Sequence, residues 1–230
     1  MLSAIHHPPA PASAWLRVAG VVVLWRLIDS IAGPPLASRL VDLSPAFQIA
    51  SLGLLDACLL VAATLLGWRV TGTRPLRLPF EPRALATPCI IGVATAFANL
   101  AVNTLSAELR GGGVLKLGGA AASMVDSAST WPSFLVSAAV LVLLAPVVEE
   151  AFYRGFAQQA LGGRRWAAVT ASALLFWNFH AQAVWTPAPL ILGLVLGCVY
   201  GRAGRLSDSI ACHAANNAVA VGLALILRFY

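Results

Sequence analysis

The sequence predicts an all-α fold, a polytopic transmembrane bundle of about seven to eight helices, and three observations carry that prediction. Of its 230 residues, 59% are hydrophobic and only 10% charged, whereas a water-soluble domain needs about a quarter of its residues charged to cover its surface. The apolar residues gather in blocks of about 20, long enough for a helix to cross about 30 Å of hydrocarbon. Most arginines flank those blocks instead of forming a basic stripe with interleaved aromatics, so the formal charge of +6 points to a lipid bilayer and away from nucleic acid.

Taken in order, residues 1–13 form a polar Pro/Ala segment, residues 14–131 a set of N-terminal transmembrane helices with a loop, and residues 132–230 a second transmembrane unit. Apolar spans are expected at about 14–33, 46–67, 84–106, 133–152, 166–185, 188–201 and 208–228. The first carries Arg17, Arg26 and Asp29 and no small-x-small cleavage site, so it reads as a retained helix. Gly33-Pro34-Pro35 is expected to end it, and the Pro-rich stretch Arg69 to Arg83 separates the second span from the third. The least apolar stretch, Glu108 to Pro132, reads as a loop or surface helix. Alternating the spans with the N-terminus inside puts ten basic residues on the cytoplasmic side and four opposite, which orients the chain N-terminus in. Cys58, Cys89, Cys198 and Cys212 lie in apolar blocks without a C-x-x-C pair and read as small buried hydrophobes.

Ionisable residues inside such spans are costly unless paired or facing a cavity, so each is a candidate for function. Arg26 and Asp29, three apart on one face, are expected to neutralise each other; Asp56 is expected to pair with an arginine of another helix, and Asp208 to cap the last helix. In Pro146-Val147-Val148-Glu149-Glu150-Ala151-Phe152-Tyr153-Arg154 the Glu150 and Arg154 side chains stand at i and i+4, the order that favours a helical ion pair. Glu149 points about 100° away and is left over, either facing a cavity or ending the span at the water interface. Pro146 is expected to kink the helix beside the carboxylates. His180 on the fifth span and His213 with Asn217, one turn apart on the last, complete a glutamate, two imidazoles and an amide, a set equipped for general-base work and oxyanion stabilisation.

Glu149-Glu150-x-x-x-Arg154, Phe176-x-x-x-His180 and His213-x-x-x-Asn217, in that order on successive hydrophobic helices, closely resemble the motifs of the CPBP family of intramembrane proteases. That family groups endopeptidases that trim prenylated CAAX-box proteins with bacterial homologues linked to bacteriocin processing and self-immunity. The resemblance covers about Pro132 to Asn217 and implies an intramembrane endopeptidase of the cell's inner (plasma) membrane, acting on a peptide or membrane-protein segment. It assigns Glu149 as general base, His180 as its partner in polarising water, His213 and Asn217 as donors to the carbonyl oxygen, and Glu150 with Arg154 as support. H-E-x-x-H is missing, and the resemblance also suggests a metal-free version in which Glu149 and His180 activate water directly, favoured because nothing in the ligand set forces a metal; zinc held by Glu149, His180 and His213 is the alternative. A non-catalytic immunity or scaffold protein and a small proton-coupled transporter are the competing classes. The sequence leaves the oligomeric state open.

Counting residues adds an expectation about depth. Glu149 lies 14 residues before Gly163 and His180 lies 17 after it, which at about 1.5 Å per residue puts them at similar height in an antiparallel hairpin. His213 follows Arg205 by only eight residues, so either the last helix is tilted or shifted or the turn does not lie near Arg205.

Overall fold

The computed structural model describes residues 12–40, 44–73, 82–109, 130–162, 165–180 and 186–229. Seven helices make up the described residues, with no strand among them: α1 (Ala12–Leu40), α2 (Pro45–Thr71), α3 (Ala86–Glu108), α4 (Trp131–Gln158), α5 (Trp166–His180), α6 (Ala188–Ala203) and α7 (Leu206–Phe229). A 3-10 turn, Pro82–Ala84, precedes α3. Four segments are long and apolar enough to cross a membrane, namely Ala50–Thr71, Ala86–Glu108, Trp131–Gln158 and Leu206–Ile226; α6 is a shorter apolar helix. The protein is a multi-pass membrane protein.

Local chemistry accounts for the helix ends. Thr130 and Ser133 form a reciprocal capping box at the start of α4, each side chain taking the other's backbone N–H, with Pro132 in the first turn where no N–H is missed. Gly72 and Gly204 end α2 and α6 with φ of 71° and 68°, a left-handed conformation that glycine adopts without a Cβ clash, and their N–H groups close on Trp68 O and Tyr200 O.

Side-chain contacts give the helix directions. Arg17 Nη1 donates to Val70 O at 2.9 Å, so α1 and α2 run antiparallel. Gly53 faces Val140 and Gly67 faces Phe156, so α2 and α4 run parallel. Ser172 Oγ donates to Tyr153 O at 2.9 Å, tying α5 antiparallel to α4, and α6 runs parallel to α4 through contacts described below. These directions are the ones that alternating passes require. The core runs along α4, where Phe152, Tyr153 and Phe156 are buried against Val21 and Trp25 of α1, Leu60 of α2, Phe176 of α5 and Leu196 of α6.

Several expectations need correction. Helix α1 does not stop at Gly33-Pro34-Pro35 but continues to Leu40. Each proline ring fixes a φ close to the helical value, but it forfeits the N–H bond to the Ser30 or Ile31 carbonyl and crowds that carbonyl, a cost the helix bears near its end. Cys58 is exposed on the outside of the bundle, since in a bilayer an apolar side chain has no need of the interior. Asp56 is exposed and has no arginine partner among the described residues. Asp208 lies inside the first turn of α7 and is not its cap; it is buried and held by Arg205 at 3.0 Å. Arg26 and Asp29 pair as expected, at 3.3 Å. Most of the expected Glu108 to Pro132 loop, the first eleven residues, and the end of the expected 166–185 span lie outside the described residues.

Candidate active site

Helix α4 is irregular where it carries the candidate chemistry. Two π-helical stretches, Val140–Leu144 and Ala151–Gln158, flank the α-helical segment Ala145–Glu150. Such widened turns concentrate at functional sites because they re-aim side chains and leave backbone groups for other partners. The Ala145 N–H reaches back five residues to Val140 O, and Pro146 next in line has no N–H to give. The carbonyl of Leu141 instead accepts from Asn217 Nδ2 at 2.8 Å. In the second stretch Tyr153 O accepts from Ser172 and Gly155 O accepts from Trp68 Nε1 at 3.0 Å.

The adjacent glutamates separate into two environments. Glu150 is fully buried, and its Oε1 accepts from Arg154 Nη1 at 2.9 Å and faces His213 Nδ1 at 3.0 Å. The Arg154 guanidinium, itself fully buried, lies over the Phe176 ring at 5.1 Å and sends Nη2 to Gly193 O on α6 at 2.8 Å. One turn on, Gln158 Nε2 donates to Gly197 O at 3.0 Å. Two side chains at i and i+4 on α4 therefore meet two glycine carbonyls at i and i+4 on α6. The missing Cβ atoms let the backbones approach, since one on Gly193 would lie 3.0 Å from Ala173 Cα and one on Gly197 3.0 Å from Gln158 Oε1.

Glu149 turns the other way. Its Oε2 is buried with no hydrogen-bond partner, 3.6 Å from His180 Nε2 and 3.9 Å from His213 Nε2. The tautomer of His180 follows from geometry: its Nδ1 lies 2.8 Å from Phe176 O, a carbonyl that can only accept, so Nδ1 carries the hydrogen and a neutral ring aims its Nε2 lone pair at Glu149. Because the Glu150 carboxylate is ion-paired to Arg154, His213 likewise donates through Nδ1 and presents Nε2 to the same spot. Phe176 fixes both rings, stacking on His180 at 4.2 Å and meeting His213 edge-on at 5.6 Å.

The structure thus brings together Glu149, Glu150, Arg154, His180 and His213 from α4, α5 and α7. Asn217 is one turn beyond His213, with its amide directed to Leu141 O and its Oδ1 accepting from Asn216 Nδ2 at 3.1 Å. Sequence reasoning missed Trp25 of α1, which stacks on Phe179 at 4.3 Å and packs against Phe152 at 5.1 Å, walling the site beside His180. It also missed Gly193 and Gly197, although their G-x-x-x-G spacing matched that of Arg154 and Gln158.

The region that builds this constellation has a family likeness. Residues 131–219 match the family model for type II CAAX prenyl endopeptidase Rce1-like proteins. The Rce1-like segment starts with α4 and ends two residues past Asn217, so it spans every candidate side chain except Trp25. No curated protein and no solved structure among those compared matches the chain.

A metal was tested against the donor geometry. Two imidazole nitrogens and a carboxylate oxygen are the right donors for zinc, but ligands about 2.05 Å from a tetrahedral ion sit about 3.3 Å from one another. The spacings of 3.6 and 3.9 Å exceed that, and no group of three or more His, Cys, Asp and Glu among the described residues is spaced to hold a metal ion. The donor set is right in kind and too wide in spacing.

Proposed function

We propose that the protein is an intramembrane endopeptidase in which Glu149 is the general base. The observation that carries this reading is the buried, partnerless Glu149 Oε2 facing the Nε2 atoms of two histidines. Three acceptors converging on one point call for a molecule with hydrogens to share, and a water fills that role. Glu149 takes one of its hydrogens and His180 Nε2 orients the other, leaving an oxygen lone pair for the scissile carbonyl. The new C–O bond pushes the carbonyl π electrons onto oxygen. Asn217 Nδ2 donates to that oxyanion, and His213 Nε2 joins it after taking a proton from solvent. The proton held by Glu149 then passes to the leaving nitrogen as the C–N bond breaks, giving an amine and a carboxylic acid, whose remaining proton passes through His180 Nε2 to solvent to leave a carboxylate. Glu150 and Arg154 hold the helix and His213 and touch no reacting atom.

The substrate is a peptide or membrane-protein segment; a prenylated CAAX tail is the class suggested by the name of the matched family. Full-length protein in liposomes should hydrolyse a quenched peptide, with the lipid-modified and unmodified versions compared directly. Glu149→Gln, nearly equal in volume, should lower turnover by about a thousand-fold. A strong chelator should leave wild-type turnover unchanged. Full activity of E149Q would overturn the assignment, whereas chelator sensitivity would overturn only the metal-free form of it.

A further inference from the structure

The proposed oxyanion donor has an unusual support, and the chain of contacts behind it runs back to a proline. Asn217 has one acceptor and two donor hydrogens on its side-chain amide. Its Oδ1 accepts from Asn216 Nδ2 at 3.1 Å, and one Nδ2 hydrogen goes to Leu141 O at 2.8 Å. The oxygen and one of the two N–H groups are therefore engaged by the protein, which fixes both the plane of the amide and which end is which, and leaves a single N–H. The Leu141 carbonyl takes a side-chain donor because the helix does not supply one. Ala145 N–H already bonds to Val140 O across five residues, and the next backbone nitrogen, which in that widened register would reach Leu141 O, belongs to Pro146. Pro146 is itself fully buried, and Asn216 is mostly so.

We propose that Pro146 and Asn216 are positioning residues that act through Asn217: Pro146 keeps the Leu141 carbonyl open to receive one Asn217 hydrogen, Asn216 holds the Asn217 oxygen, and together they aim the remaining N–H at the substrate carbonyl oxygen. This rests on the protease reading above. It gives the proline a role that a kink alone does not, since the bent helix matters here for the one acceptor it leaves unfilled.

The test is a double-mutant cycle on peptide hydrolysis by the full-length protein in liposomes. Asn217→Ala should lower kcat by about a hundred- to a thousand-fold, the cost of one oxyanion donor. Pro146→Ala restores a backbone N–H beside Leu141 O, and Asn216→Ala releases the oxygen end; each should lower kcat about ten-fold with KM within two-fold. In the Asn217→Ala background neither should have any further effect, because the donor they aim is gone. A residue that merely held the helix together would lower kcat in both backgrounds. Thermal melting in detergent gives an independent readout, since replacing an interior helical proline should leave the melting temperature equal or higher while turnover falls. Unchanged kcat in both Pro146→Ala and Asn216→Ala, or losses that multiply with that of Asn217→Ala, would overturn the proposal. Should either variant fail to fold, the other arm of the cycle decides. Glu149→Gln run in parallel separates the outcomes: if it is inactive and the cycle is multiplicative, the positioning fails and the protease reading stands.

Discussion

Glu149 and Glu150 are neighbours in the chain and opposites in the fold. On the Glu150 side of α4 the opposite charges meet, Glu150 Oε1 taking Arg154 Nη1 and facing His213 while Arg154 Nη2 reaches the Gly193 carbonyl, in a buried seam that leaves Glu150 Oε2 and Arg154 Nε without a hydrogen bond among the described residues. On the Glu149 side the carboxylate oxygen is buried and meets nothing, and two imidazole nitrogens stop short of it. One face of a helix shows how a membrane bundle tolerates charge, and the next carries the carboxylate that the proposed mechanism uses as its base. The difference teaches that partners, more than burial, separate architecture from reactivity.

The sharpest way to break this comparison is to exchange each glutamate for glutamine. Glu150→Gln should destabilise the fold by about 3–5 kcal/mol, because Arg154 is left buried without its counter-charge; a large drop in melting temperature and poor yield in detergent would show it. Glu149→Gln should change stability by less than about 0.5 kcal/mol while abolishing turnover, since no partner is lost. Equal destabilisation by the two would erase the distinction. A step smaller, Gly193→Val drives a side chain into the Ala173 backbone and pries α6 from α5. Overpacking of this kind should cost about 1–3 kcal/mol and lower turnover through the displaced Arg154 contact. Gly92 of α3 offers a finer probe, because its added Cβ would collide with the carbonyl of Cys212, beside His213. Gly92→Ala should therefore lower kcat several-fold with a stability loss of about 1–3 kcal/mol, read by kinetics and melting on one preparation. Smallest of all, Arg26→Ala removes a half-exposed pair at 3.3 Å and should shift stability by about 0.5 kcal/mol or less.

How much of this was legible in the sequence depends on how local the signal was. The Glu150–Arg154 and Arg26–Asp29 pairs follow from helical spacing, and the common height of Glu149 and His180 follows from counting residues about the turn near Gly163. His213 reaches the site although it lies only seven residues into α7, whereas α4 runs on well past Glu149. The α6–α7 turn at Gly204 must therefore sit deeper in the bundle than the α4–α5 turn, with Asp208 and Arg205 paired beside it. No local pattern encodes that depth. The π-helical stretches left a trace only in Pro146, and the acceptor of Asn217 lies 76 residues away in sequence. Trp25 is one of two tryptophans in a largely lipid-facing helix, with nothing in the sequence to set it apart from Trp15 until Phe179 is seen against it.

The paired rungs between α4 and α6 carry a mechanical implication. Because Arg154 and Gln158 grip Gly193 and Gly197 at equal intervals, neither helix slides along the other without tearing both bonds at once, one of them from a guanidinium with no water to retreat to. On the proposed protease reading, any parting of the bundle that admits a polypeptide falls to weaker seams, and the contact of α1 with Phe179 and Phe152 is such a seam, held by ring surfaces and by Arg26 over the Phe179 ring.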